Sequence, residues 1–187
     1  MPPIQTTFAT TTAKLVASAA KLLRLGAGTS LPGKIARKLD PHILQNLGKQ
    51  IKHRTIAVTG TNGKTTTCGL LAQFFRESGN RVVHNHLGAN MVPGITAALV
   101  SQTGLNGHLS ADTGILEVDE ASLTGVAQEV SIQHIAVTNL FRDQLDRYGE
   151  LDTTAKLIAD GIAHSQVDEG GSLYLNADDP MVTAIAN

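Results

Sequence analysis

Seven consecutive residues, Gly60-Thr61-Asn62-Gly63-Lys64-Thr65-Thr66, have types and spacing suited to holding phosphate. They follow the β-rich run Thr55-Ile56-Ala57-Val58-Thr59 and precede a helical stretch, the context a phosphate-binding loop needs. Gly60 and Gly63 let the backbone approach phosphates and turn successive N–H groups toward them. The helix beginning near Lys64 adds its positive dipole end. Lys64 supplies a cation for the β and γ phosphates, and Thr65 a hydroxyl for Mg²⁺. The segment predicts a nucleoside triphosphate site, with ATP and Mg²⁺ as cofactors. The commonest spacing, Gly-x-x-x-x-Gly-Lys-Ser/Thr, needs glycine at position 58, where this chain has Val58.

Other polar segments also follow apolar runs. Glu117 ends Gly114-Ile115-Leu116, where a carboxylate can hold Mg²⁺ directly or through water. An ordinary acid at a strand end is the alternative. Asn139 to Gly149 is a dense charged stretch after His134-Ile135-Ala136-Val137-Thr138. It can face a ligand or form a solvated loop, and spacing leaves both open. Asn176-Ala177-Asp178-Asp179-Pro180 has the residues of a turn and a helix start. Cys68, one turn into the loop's helix, reads as a buried structural thiol, because no partner His is identifiable. His84 and His86 alternate along a strand, but two residues do not make a metal site.

These residues need a scaffold to bring them together. The apolar runs at 55–59, 81–86, 114–118, 134–138 and 172–175 read as strands. Helical stretches at 65–78, 93–102, 122–128 and 153–164 separate them. In the first of these, Leu70, Leu71, Phe74 and Phe75 are expected on the apolar side. Strands alternating with helices imply a parallel sheet flanked by helices, an α/β fold with its ligand site at the carboxyl ends of the strands. Residues 1–52 form a separate basic segment ahead of this domain at 53–187. Within it, residues 1–12 are Thr-rich and expected to be disordered, and helices are expected at 13–25, 30–38 and 41–48.

Composition limits what else the protein can be. The chain has 187 residues, 42% apolar but only 3% aromatic, so its core must be largely aliphatic. No apolar run approaches the ~20 residues of a membrane span. The single cysteine excludes an internal disulfide and fits a reducing compartment, so a cytoplasmic location is expected. Residues 1–54 carry nine Lys or Arg against one acid, Asp40, whereas the rest carries six against fifteen. Charges of +8 and −9 sum to the net −1. The basic part either meets an anionic partner or packs on its own acidic neighbour.

As a set, these segments resemble the Mur ligase family, the ATP-dependent amide-forming enzymes of peptidoglycan synthesis. Gly60 to Thr66 is similar to that family's short phosphate loop, which also lacks the extra glycine. Gly88-Ala89-Asn90-Met91 resembles its Gly-Asn segment, and Glu117 falls on its magnesium glutamate. Asn139, Asp143, Asp146 and Gly149 resemble fixed points of its stretch after the next strand. Asn176 to Pro180 resembles its Asn-x-Asp-Asp segment. The resemblance implies a P-loop central domain at 53–187, incomplete at its C-terminal side. Lys64 and Glu117 would be catalytic, residues 60–66 would bind the nucleotide, and Thr65 and Glu117 would hold metal. Asn90, Asn139 and Asp143 would stand near substrate or behind it.

Within the family the chain most resembles a branch of ligase-like subunits that work with a glutaminase. It is carried by Leu31 to Lys38, His84-Asn85, Glu117-Val118-Asp119-Glu120 and Phe141-Arg142-Asp143-Gln144. Phe141 replaces the family's Thr, and Gln144 replaces a histidine that helps hold metal in many members. The branch implies ATP-dependent amidation of the D-glutamate α-carboxylate of lipid II, through an acyl phosphate. Its partner is a glutaminase subunit of GatD type, and no nucleic acid is involved. Lys34, Arg37 and Lys38 would assist approach to the anionic lipid at the inner face of the membrane. A zinc ribbon would lie beyond Asn187, and this stretch alone is expected to be inactive. Other readings are an amino-acid-adding or folylpolyglutamate-synthase-like ligase, and a non-catalytic nucleotide-binding module.

Overall fold

The computed structural model describes residues 2–22, 30–86, 89–141 and 150–185. Five parallel strands form one sheet: β1 (Ile51–Thr59), β2 (Val82–His84), β3 (Ala111–Glu117), β4 (His134–Val137) and β5 (Ser172–Leu175). Their order is β2-β3-β1-β4-β5. The strand carrying the glycine-rich loop is therefore central. Val58 is paired with Glu117 on one side and Ala136 on the other. This register brings the ends of β1, β3 and β4 to one level.

Side chains alternate across the pleat, so each strand feeds two cores. Ile56, Val58 and Ile115 face α4 (Lys64–Glu77), which covers them with Cys68 and Ala72. Ala57, Leu116, Ile135 and Val137 face the larger core, which includes α5 (Val92–Gln102), α6 (Leu123–Glu129) and α7 (Glu150–Ala163). Burying a Leu or Ile such as Leu99 or Ile115 contributes about 1.5–3 kcal/mol relative to exposure. On α4 the inward positions are Cys68, Leu71, Ala72 and Phe75, at helical spacing. Leu70 and Phe74, expected on that side, point outward at 55% and 64% exposure. They lie one helical step off the stripe that meets the sheet.

The N-terminal region is more ordered than its composition suggests. Helix α1 runs Ile4–Leu22, so the disorder expected for residues 1–12 is corrected. Thr6, Ala9, Thr10 and Ala13 recur at helical spacing and are fully buried. Small side chains let the helix pack closely, and this outweighs the modest helix propensity of Thr. The Thr6 hydroxyl donates to Asp40 at 2.6 Å, so polarity there is used inside the fold. Helix α2 (Leu31–Leu39) crosses α5 so closely that a Cβ on Gly33 would run into the Pro93 carbonyl. Helix α3 (Ile43–Gly48) buries Ile43, Leu44 and Leu47 in the larger core. The division expected at 52/53 falls inside β1. Arg37 makes two 2.8 Å hydrogen bonds to Glu129, so this base is paired with an acid of the same chain, while Lys34 and Lys38 stay exposed.

Cys68 lies sealed between α4 and the sheet. Its thiol is pushed up to about 12, first by burial and then by the Glu117 carboxylate. The folded protein should therefore resist iodoacetamide at pH 8 and react once unfolded; alkylation of the native protein at the rate of a free thiol would contradict this. The folded state keeps a proton that the unfolded chain releases above the ordinary thiol value of 9.0. Stability should fall as pH rises from there toward about 12, and Cys68→Ala should remove that part of the slope in pH-dependent denaturant titrations.

Candidate functional site

The glycine-rich loop leaves β1 at Gly60 and enters α4 at Lys64. Gly60 has φ +116, and a Cβ there would sit 2.5 Å from the Thr138 hydroxyl and 2.8 Å from the Asn139 carbonyl. Gly63 is the N-cap of α4 in a left-handed conformation, φ 85, with no side chain capping the helix. The start of α4 thus offers backbone N–H groups and a positive dipole end on the exposed side of the loop. Val58 explains the shorter spacing. It is a fully buried strand residue packed against α4, so the turn begins only at Gly60.

The loop's shape is held by the segment after β4. Asn139 accepts from Asn62 N at 2.9 Å through its side-chain oxygen and donates to Asn62 O at 3.0 Å through its amide. Its carbonyl accepts from Thr61 N at 2.8 Å. The Thr138 hydroxyl donates to Asn62 O at 2.8 Å, and Phe141 N donates to the Thr61 hydroxyl at 3.1 Å. These bonds satisfy backbone groups that a tight turn would otherwise leave to water. Asn139 therefore sits behind the loop, bound to it through both ends of its amide.

A further layer fixes that segment. Asn176 donates to Thr138 O at 2.9 Å, and Asp179 accepts from Leu140 N at 2.7 Å. Asp179 also caps α8 (Pro180–Ala184), accepting from Met181 N at 2.9 Å. The segment 176–180 is thus the turn and helix start that its composition indicates, and it braces the loop's clamp as well.

Glu117 ends β3 beside the loop and is 3% exposed. Its backbone is gripped by Asn85, which accepts from Glu117 N at 2.8 Å and donates to Glu117 O at 2.7 Å. The same amide donates to Ala89 O at 3.0 Å. Glu117 Oε2 is buried with no hydrogen-bond partner. A buried carboxylate oxygen left bare is costly, and a cation is the natural complement. The Glu117 carboxylate and the exposed Thr65 hydroxyl are the hard oxygen donors that Mg²⁺ takes. Lys64 Nζ donates to the carbonyls of Gly60 and Thr61 and lies 3.1 Å from Glu120 Oε1. Asn90 joins the same corner through its carbonyl, which accepts from Asp119 N at 2.9 Å.

The structure thus gathers residues 60–66, Glu117, Asn90 and Asn139 at one end of the sheet. Asp143, Gln144, Asp146, Gly149 and Gly88 lie outside the described residues. Asn85, Glu120, Thr138 and Asp179 were not singled out individually for the site by sequence reasoning. Their common signal is a polar residue just past a strand. Strand β2 ends at His84, so His86 lies beyond it, with ring centroids 6.0 Å apart. His84 is pushed below its ordinary value by burial first, then by His86 and Arg76. No group of three His, Cys, Asp or Glu suited to a metal occurs among the described residues, and the zinc ribbon expected beyond Asn187 lies outside them. No helix among them is long and apolar enough to cross a membrane.

Comparison with known proteins follows the same line. The chain is 40% identical over 158 residues to the "Lipid II isoglutaminyl synthase (glutamine-hydrolyzing) subunit MurT" of Staphylococcus aureus strain COL, covering 84% of this chain and 34% of that protein. The protein of the same name from Streptococcus pneumoniae is 39% identical over 160 residues, covering 86% and 34%. This chain thus spans about a third of the length of these relatives. Among solved structures, MurF from Acinetobacter baumannii is similar with TM-score 0.63 at 17% identity, covering 85% of this chain and 32% of that one, a likeness of fold. Residues 58–187 match the profile of the Mur ligase middle domain, and the chain belongs to the Mur ligase family.

Proposed function

We propose that this chain provides the nucleotide-binding part of an ATP-dependent carbon–nitrogen ligase that amidates the D-glutamate α-carboxylate of lipid II. A braced phosphate loop beside the bare, buried oxygen of Glu117 is the observation that carries this reading. Its relatives named as MurT support the choice of reaction.

A carboxylate is a poor electrophile toward ammonia. Transfer of the γ-phosphoryl group of ATP to its oxygen makes an acyl phosphate and releases ADP. Ammonia then forms the C–N bond as phosphate leaves. In this reading Gly60 to Thr66 hold the triphosphate, with Lys64 facing its terminal phosphates. Thr65 and Glu117 would hold Mg²⁺, which when bound would supply positive charge to offset that on the transferring group. Asn139 fixes the loop, so the donors are in place before the substrate arrives. Asn90 and Asp143 belong to the substrate side. A GatD-like glutaminase supplies ammonia, and the work is done at the cytoplasmic face of the membrane where lipid II is presented.

Lys64→Ala in the full-length protein should abolish ATP binding or lower turnover by about 100-fold or more; unchanged affinity and turnover would remove Lys64 from the site. Glu117→Ala should impair turnover more than nucleotide affinity, most severely at limiting Mg²⁺, and equal turnover there would count against a metal role. The reaction itself is tested by incubating the full-length protein and its glutaminase with lipid II, ATP and glutamine. Mass spectrometry should show the small loss that accompanies conversion of acid to amide. Intact lipid II with ATP consumed would refute the proposed acceptor.

A further inference from the structure

We propose that Glu120 is a positioning residue that holds the Lys64 ammonium and competes for it with the terminal phosphates of the nucleotide. The inference rests on the reading of Gly60 to Thr66 as a triphosphate site. An ammonium has three donors, and Lys64 Nζ directs them at three acceptors of this chain: the Gly60 carbonyl, the Thr61 carbonyl and Glu120 Oε1. The two side chains are only 13% and 16% exposed, so water screens the pair weakly. A phosphate can reach this ammonium only if at least one of those acceptors is released. The carbonyls belong to the loop itself, whereas Glu120 comes from another strand's end and carries the charge that a phosphate would replace.

Glu120 is well placed to act this way. It opens the 3-10 turn Glu120–Ser122, three residues beyond Glu117. Asp119 caps that turn by accepting from Ala121 N at 3.1 Å, and Asp119 N is tied to Asn90 O at 2.9 Å. The carboxylate therefore projects from a fixed turn. Parallel pairing of Val58 with Glu117 sets the ends of β1 and β3 level, so the turn meets the loop across one strand spacing. In this arrangement Glu120 keeps Lys64 folded over the loop and weakens the bare loop's hold on anions. Binding of a triphosphate exchanges a carboxylate for a phosphate at the same ammonium.

The test uses the full-length protein and two variants. Glu120→Gln keeps the shape and removes the charge. Glu120→Asp keeps the charge but shortens the reach past the 3.1 Å contact. Calorimetry with ATP should show both variants binding about five- to tenfold more tightly than wild type. In the absence of nucleotide, an amine-reactive reagent should label Lys64 faster in both variants than in wild type, with the exposed Lys38 as the internal reference. Equal or weaker ATP binding in Glu120→Gln overturns the proposal, whatever the labelling shows. Tighter binding in Glu120→Gln with wild-type affinity in Glu120→Asp also overturns it, because net charge and not the pair would then set affinity. If one variant does not fold, ATP affinity in the other decides. A wild-type protein that binds no ATP refutes the triphosphate reading, while the labelling arm still reports whether Glu120 holds Lys64.

Discussion

A tight glycine turn leaves backbone N–H and C=O groups without partners, and every feature of the site depends on how they are satisfied. Here the answer is Asn139. One side-chain amide and one carbonyl from the end of β4 bind the N–H of Thr61 and both the N–H and the carbonyl of Asn62. Water could pair such groups in many loop shapes, whereas Asn139 pairs them in one. The clamp therefore selects one loop shape, the one that faces the start of α4 outward. Asn176 and Asp179 extend the same logic outward, because a clamp is only as rigid as the segment that bears it.

Strand register then determines what the loop can meet. Parallel pairing places Glu117 beside Val58 on the same face of the sheet. Val58 points into the core under α4, one residue before the strand ends at Thr59. Glu117 brings a carboxylate into a nearly dry corner, where burial first and then this charge keep the Cys68 thiol protonated. Asn85 grips the Glu117 backbone on both sides, like a neighbouring strand reduced to one side chain. Two carboxylates, Glu117 and Glu120, thus flank a loop with one lysine. One has a bare oxygen and the other is paired with Lys64.

Polar residues in the N-terminal region show how composition can mislead. The Thr-rich residues 1–12 read as disordered, yet Thr6 and Thr10 are buried at helical spacing. The physical reason is size: Ala and Thr permit close helix packing, and a hydroxyl can bond inside the fold, as Thr6 does to Asp40. Arg37 is similar. It belongs to a strongly basic stretch but is held by both oxygens of Glu129.

Much of the architecture was legible in the residues alone. Alternating apolar runs and helical stretches predicted the parallel α/β sheet, and Ser172–Leu175 matches its expected strand. Local spacing is enough there, because a strand or helix is defined by its own periodicity. The glycine-rich loop was legible for the same reason, since its glycines, lysine and threonine fall within seven consecutive residues. What spacing could not give was the pairing of distant segments. Asn139 lies 77 residues from Asn62 and Glu120 lies 56 from Lys64, and no local rule connects them. Register decides that Asn139 braces the loop from behind and that Glu120, which on sequence grounds had no individual role, reaches the lysine. Burial decides that Cys68 is inert, that Leu70 and Phe74 face outward, and that threonine can build a helix core. These are properties of the packed sheet and its register, which no single segment contains.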